Sequence, residues 1–261
     1  MEHLNSPLIV PDWPAPETVR AVSSTRLGGF SDAPYNSFNL GQHVGDDADK
    51  VIRNRSCLSE LIGSDVAFQW LEQVHGTEVV SAQINGLTAK ADASFTRDTL
   101  VACLVMTADC LPVLFCDRSG TRVAAAHAGW RGLADGVLEA TVKALKCPAE
   151  DILCWFGPAI GPGAFEVGGE VRQRFCDQYS EAFAAFKPLV SDQLTGQAAK
   201  GTSQKWLADL YSLARLRLAH IGVTSVYGGD YCTFSDAERF FSYRRDGVTG
   251  RMASLVWLDR S

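Results

Sequence analysis

Histidine is scarce in this chain. Its 261 residues include five, His3, His43, His75, His127 and His220, two of them near the amino end. A multicopper centre needs several coppers, each held by multiple imidazoles, and cannot be assembled from that supply. One mononuclear site can. No apolar run approaches the ~20 residues that span a bilayer. The amino end (MEHLNSP) has no cationic segment followed by an apolar stretch, so no secretory signal is expected. Positive charge is also in deficit: 24 Lys and Arg face 30 Asp and Glu, a formal net charge of −6. That balance opposes nonspecific binding to nucleic-acid backbones, yet leaves room for a small anion held by a few focused arginines. Nor is there a C-x-x-C pair among the eight cysteines, Cys57, Cys103, Cys110, Cys116, Cys147, Cys154, Cys176 and Cys232. The expectation is a cytoplasmic protein with reduced thiols, most of them small buried hydrophobes.

What is present is ordinary globular composition, 46% hydrophobic and 21% charged, which excludes disorder. Without repeats, low-complexity tracts or a linker, residues 1–261 are expected to form one domain. Strands are expected at 18–25, 68–71, 78–82, 122–126, 152–156, 225–227 and 252–258. The apolar stretch 100–115 reads as a buried strand interrupted around Thr107–Pro112. Helices are expected at 46–62, with acids in the first turn and Gly63 past the end, and at 136–145, 165–179 and 206–220. Hairpin-linked strands interleaved with helices favour a mixed-sheet α+β fold over a doubly wound one.

Three glycine- or proline-rich breaks each present a good metal ligand at the end of an apolar run. They are Gln73-Val74-His75-Gly76, Thr107-Ala108-Asp109-Cys110-Leu111-Pro112 and His127-Ala128-Gly129-Trp130-Arg131-Gly132. Strand ends give rigid support and glycines give close access. Each break alone also reads as a hydrogen-bonded structural histidine or a packed bend. Together they permit a site of His75, Cys110 and His127. Three protein ligands and an open position describe catalytic zinc. The same set with a weak axial Met describes blue copper, for which Met106 is near in sequence. Zinc is preferred, because no electron-transfer partner is visible. The GPAIGP segment has no lysine in P-loop order, and neither Gly-Gly pair has dinucleotide spacing.

The strings TADCLPVLF (107–115), AHAGWRG (126–132), GPAIGPGAFEVGG (157–169) and FFSYRRDG (240–247), with SSTRLGG (23–29) and NLGQHVG (39–45), closely resemble one family. It is the laccase-domain family, once labelled polyphenol oxidase and now understood as zinc-dependent purine nucleoside phosphorylases. The resemblance runs from about Leu8 to Leu258; the stretch 183–204 matches nothing. It implies an α/β/β/α sandwich of mixed sheets between helical layers, likened to deamidating cysteine toxins. It also implies metal ligands at His75, Cys110 and His127. Family members are credited with phosphorolysis of adenosine, inosine, guanosine and methylthioadenosine, and with adenosine deamination.

Phosphorolysis asks for oxyanion donors. Arg26, Arg131, Arg244, Arg245 and Arg251 sit in the motif loops, with Arg131 favoured because it follows His127 by four residues. Many of these would instead pair with Asp230, Asp236 or Asp246. Asn39 either contacts ribose or closes an Asx-turn, and His43 reads as structural. Phe30, Tyr35, Trp130, Phe165 and Tyr243 are aromatic loop residues that could stack a purine or simply anchor loops. The leading expectation is a zinc enzyme acting on purine nucleosides and phosphate, with Arg26, Asn39, Arg131 and Arg244 as binding residues. The alternative is a cytoplasmic cysteine amidase or deamidase with Cys110 as nucleophile and His127 as base, acting for example on a cell-wall precursor carrying the wrong amino acid. A third expectation, of a metal-stabilised scaffold without catalysis, is disfavoured by the open three-ligand count.

Overall fold

The strand Val101–Thr107 is buried at every position, and so are Leu111–Asp117 and Met252–Leu258. Strands with two apolar faces need cover on both sides. A computed structural model, which describes residues 6–84, 87–189 and 204–260, provides it with two central sheets stacked between helical layers. His3 and most of the stretch 183–204 lie outside the described residues.

The first sheet has five strands in the order Leu8–Ile9, Val19–Ser24, Met252–Leu258, Val101–Thr107, Ala67–Gln69. The second has six, in the order Ser225–Gly228, Ile152–Phe156, Leu111–Asp117, Val123–Ala128, Ala93–Thr96, Val79–Ser81. Both mix parallel and antiparallel pairs.

The two-residue period of a strand sorts its side chains between layers. Val101, Cys103 and Val105 meet Leu114, Cys116, Val123 and Ala125 in the core between the sheets. Ala102, Leu104 and Met106 point the other way, onto Phe38, Leu40 and Leu58, the last from the helix Ala48–Ile62. On the outer face of the second sheet, Val113, Phe115, Ala124 and Ala126 pack against Val137, Leu138 and Leu145 of the helix Val137–Leu145 and Leu213 and Leu218 of the helix Leu210–His220. The result is the expected α/β/β/α sandwich.

Several local expectations change. The stretch 100–115 is two strands in different sheets, because the chain crosses from one to the other at residues 108–110. The expected helix 165–179 is a strand Glu166–Val167 followed by a helix Gly169–Cys176. The expected helix 206–220 likewise begins as a strand, Trp206–Ala208, before Asp209 caps Leu210–His220 by accepting from the Ser212 N–H at 3.0 Å. The reason is tertiary. Glu166 pairs with Leu207, and Leu207 with Lys187, in a small three-stranded sheet whose partners are remote in sequence. A six-residue helix, Trp130–Asp135, also forms where a loop was expected. Among the described residues no helix is long and apolar enough to cross a membrane.

Candidate active site

Antiparallel register assembles the site. Ala126 lies opposite Ala93 on one side, and His127 lies opposite Pro112 on the other. The same ladder brings the His127 N–H to the Asp92 carbonyl at 2.7 Å. His127 therefore stands beside both Asp92 and the loop that presents Cys110. His75 arrives from the turn after Leu71–Glu72, where Gln73 clamps the backbone of Met106: its amide donates to the Met106 carbonyl at 2.8 Å and accepts from the Met106 N–H at 2.7 Å. His75 and Asp109 hold left-handed backbone angles (φ 61° and 92°), a strain that non-glycine residues carry mainly where function requires it.

The ligand atoms of His75, Cys110 and His127 lie within 4.8 Å of one another, with Cys110 Sγ 3.8 Å from His75 Nε2. The two imidazoles meet edge to face, with ring centroids 4.7 Å apart. Among the described residues this is the one cluster of three or more candidate ligands. Two features suit it to a metal ion. His127 Nδ1 donates to Asp92 Oδ1 at 2.8 Å, which leaves Nε2 with its lone pair free, the tautomer a ligand needs. Gly129 keeps space for the trio, since a Cβ there would lie 2.8 Å from the His75 ring and 3.0 Å from Cys110 Sγ. Two nitrogens and a thiolate fit zinc, with a fourth position left open.

Asp92 organises the whole cluster. Its side chain is fully buried and accepts from the N–H groups of Val74 at 3.2 Å, His75 at 2.8 Å and Gly76 at 2.7 Å, besides the His127 ring. Burial alone would raise its pKa, but the His127 and backbone hydrogen bonds outweigh that and hold it below the usual carboxylate value. Burial likewise pushes the Cys110 thiol up, and the charge of His127 with hydrogen bonds from both histidines overrides it, so the net direction is down. His127 moves up, because burial is outweighed by the Cys110 thiolate and Asp92. The two shifts have one cause, since each group favours the charged form of the other.

The trio opens into a cavity of about 790 Å³, within the usual range for small-molecule sites. Arg55, Arg251 and His43 line it. The Arg55 guanidinium lies 3.5 Å from the Trp70 ring centroid, and burial brings its pKa down to about 10. Burial also lowers Arg251, against the opposing charges of Cys110 and Asp109. Burial and both arginines lower His43. Neither arginine forms an ion pair among the described residues. Two guanidinium groups without an ion-pair partner, on a wall whose one carboxylate is Glu72, suit a small anion.

None of the four binding residues expected from the motifs lines this cavity. Arg26 donates to the carbonyls of Asn36 and Ala237. Arg131 lies over its neighbour Trp130, with its guanidinium 4.4 Å from the ring centroid. Arg244 donates to the Glu166 carbonyl at 2.8 Å. Buried Asn39 accepts from the N–H groups of Gly41 and Arg251, both at 2.9 Å, and so fastens the two loops that carry His43 and Arg251. Its contribution is to position Arg251. His43, read as structural, lines the cavity instead.

Sequence reading missed Asp92, Gln73, Arg55 and Trp70. A lone acid in the apolar run Ala91–Ser94 was a usable signal for Asp92. Arg55 had none, lying mid-helix among ordinary surface charges.

Residues 20–259 match the family described as multi-copper polyphenol oxidoreductase laccase. A purine nucleoside phosphorylase of Pseudomonas aeruginosa is 56% identical over 250 residues, covering 96% of this chain and 98% of its own length. The purine nucleoside phosphorylase YfiH of Escherichia coli K12 is 53% identical over 254 residues, covering 97% of this chain and 99% of its own. Among solved structures, a Neisseria meningitidis protein superposes with a TM-score of 0.89 at 51% identity, covering 98% of this chain and 100% of that one.

Proposed function

The chain belongs to the multi-copper polyphenol oxidoreductase laccase family, and from that premise we propose that it is a zinc-dependent purine nucleoside phosphorylase whose metal rests on His75, Cys110 and His127. The observation that carries this reading is the open three-ligand cluster at one wall of a cavity that also holds Arg55, Arg251 and His43. Relatives named purine nucleoside phosphorylase support the reaction class. Multicopper chemistry has no ligands to rest on, with five histidines in the chain and one candidate cluster among the described residues. Adenosine, inosine, guanosine and methylthioadenosine are the proposed nucleosides. Adenosine deamination is a proposed side reaction.

Bound zinc would supply a Lewis acid, and an activated water for deamination. The remaining work falls to the chain. Arg55 and Arg251 hold phosphate and orient it toward the ribose C1′. Asp92 fixes the His127 ring through Nδ1 and the His75 turn through three N–H groups. Gln73 and Asn39 fasten the surrounding loops.

The test is phosphate-dependent release of free base from the four nucleosides by zinc-loaded protein, lost with chelator and restored by zinc. Failure to release any base ends the reading. Arg251→Gln and Arg55→Gln should each raise the KM for phosphate about 10–100-fold, the worth of one or two charged hydrogen bonds. An unchanged phosphate KM in both would place phosphate elsewhere.

A second reading is supported by the order Asp92–His127–Cys110, which matches a cysteine hydrolase with His127 as base and Asp92 orienting it. In chelated protein the lowered Cys110 pKa keeps thiolate present below the ordinary thiol range. Iodoacetamide labelling of Cys110 should therefore stay fast below pH 8 and fall only as pH drops through the lowered value. Amidase activity that survives chelator and dies on labelling would favour the hydrolase. Activity lost to chelator favours the zinc enzyme.

A further inference from the structure

The segment Phe240–Asp246 changes character abruptly. Phe240, Phe241 and Ser242 are fully buried, and the next residue, Tyr243, is 61% exposed on the wall of the cavity. An exposed large aromatic beside buried neighbours calls for an explanation, because it forgoes the burial its ring could gain. Among the described residues no aromatic ring stacks on Tyr243 and no guanidinium lies over its face; Arg251 is within electrostatic reach of its hydroxyl. The other large aromatic on the cavity wall, Trp70, has one face covered by Arg55.

The exposed ring is nevertheless held on rigid backbone. The Arg244 N–H donates to Asp109 Oδ2 at 2.7 Å, and Asp109 Oδ1 accepts from buried Thr233 at 2.6 Å. Asp109 immediately precedes Cys110, so the turn bearing Tyr243 is tied to the loop bearing the sulfur ligand. Ser242 Oγ accepts from the Arg245 N–H at 3.2 Å, and the Gly247 N–H reaches the Tyr243 carbonyl at 2.9 Å. Guanidinium contacts from Arg245 to the carbonyls of Thr233, Phe234 and Phe240 lock the same turn from behind. A ring with two χ angles on so fixed a base loses little freedom when something stacks on it.

We propose that Tyr243 is the stacking platform for the purine base, setting nucleoside affinity while Arg55 and Arg251 set phosphate affinity. The proposal rests on the phosphorylase reading. A flat, neutral, aromatic base matches an unoccupied π-face, and stacking tolerates different purines because each offers the same face. That tolerance fits a site acting on adenine, hypoxanthine and guanine nucleosides alike. It also makes the phenolic hydroxyl dispensable.

Tyr243→Ala, Tyr243→Phe and the wild type, all zinc-loaded, separate the outcomes. Tyr243→Ala should raise the KM for inosine about 5–100-fold, the range that base stacking supports, with phosphate KM unchanged and kcat altered by no more than about twofold. Tyr243→Phe should match the wild type. An unaltered inosine KM in Tyr243→Ala overturns the proposal, as does an equal loss in Tyr243→Phe. Calorimetric titration with inosine in the absence of phosphate tests the platform without turnover. If the wild type lacks phosphorolysis, the phosphorylase reading falls by itself. The platform then stands only if inosine binds the wild type and weakens in Tyr243→Ala, and it falls if inosine binds neither.

Discussion

Cys110→Ala is expected to yield a folded chain that retains little zinc and cleaves nucleosides at least about a thousandfold more slowly, reflecting the several kcal/mol a Lewis-acid metal supplies. Folding should survive, because Cys110 is half-buried and belongs to none of the apolar clusters that make the core. Two histidines remain, too few to hold zinc against competing ligands. The measurements are metal content after dialysis and inosine phosphorolysis, with Cys57→Ala, a half-buried thiol on the helix Ala48–Ile62, as the control that keeps both. Wild-type metal content and turnover in Cys110→Ala would sink the assignment of the trio.

Asp92 carries the second large effect. Removing its carboxylate in Asp92→Ala leaves the N–H groups of Val74, His75 and Gly76 and the ring N–H of His127 without their acceptor. Breaking a buried, charged pair of this kind costs about 3–5 kcal/mol, a fall in Tm on the order of 10 °C for a chain of this size. Asp92→Asn keeps the shape but turns one acceptor into a donor, which should weaken zinc binding about 10–100-fold. The pH dependence has a definite sign. The folded Asp92 pKa lies below its unfolded value of about 3.9. Its stabilisation is therefore complete above that value and lost as pH falls through the folded one. Thermal melts of metal-free protein from pH 3 to pH 7 should show a shallower acid limb in Asp92→Asn than in wild type. Equal limbs, with unchanged zinc affinity, would reduce Asp92 to ordinary packing.

Where elements are determined by their own residues, sequence and structure agree. The helix Ala48–Ile62 ends at its expected signal, Gly63, with φ 118°, and starts two residues inside the expected bound because Asp47 caps it, accepting from the Asp49 N–H at 2.9 Å. The stretch 100–115 announces its strand character and burial through apolar residues on both faces, though not its division between two sheets. Disagreement falls where a remote partner decides. Trp206–Ala208 has helical spacing, yet it becomes a strand because Glu166–Val167 and Phe186–Pro188 flank it. Local propensity is a weak preference, and a tertiary partner overrides it.

The site divides along the same line. The cluster of His75, Cys110 and His127 was legible because residue types able to hold a metal are few and here sit near glycine or proline at strand ends. The scarcity of histidine that excluded a multicopper centre also left few residues for a metal to choose from. Arginine, by contrast, is a common residue, and motif position alone did not separate Arg251, which lines the cavity, from Arg26, Arg131 and Arg244, which serve loops. Asp92 and Arg55 acquire their roles only through register and sheet packing, which bring groups far apart in the chain to within hydrogen-bonding distance. The ligand chemistry is thus written in residue type and local turn. Which charges face the substrate is a long-range property, decided when the strands pair and the loops close over one cavity.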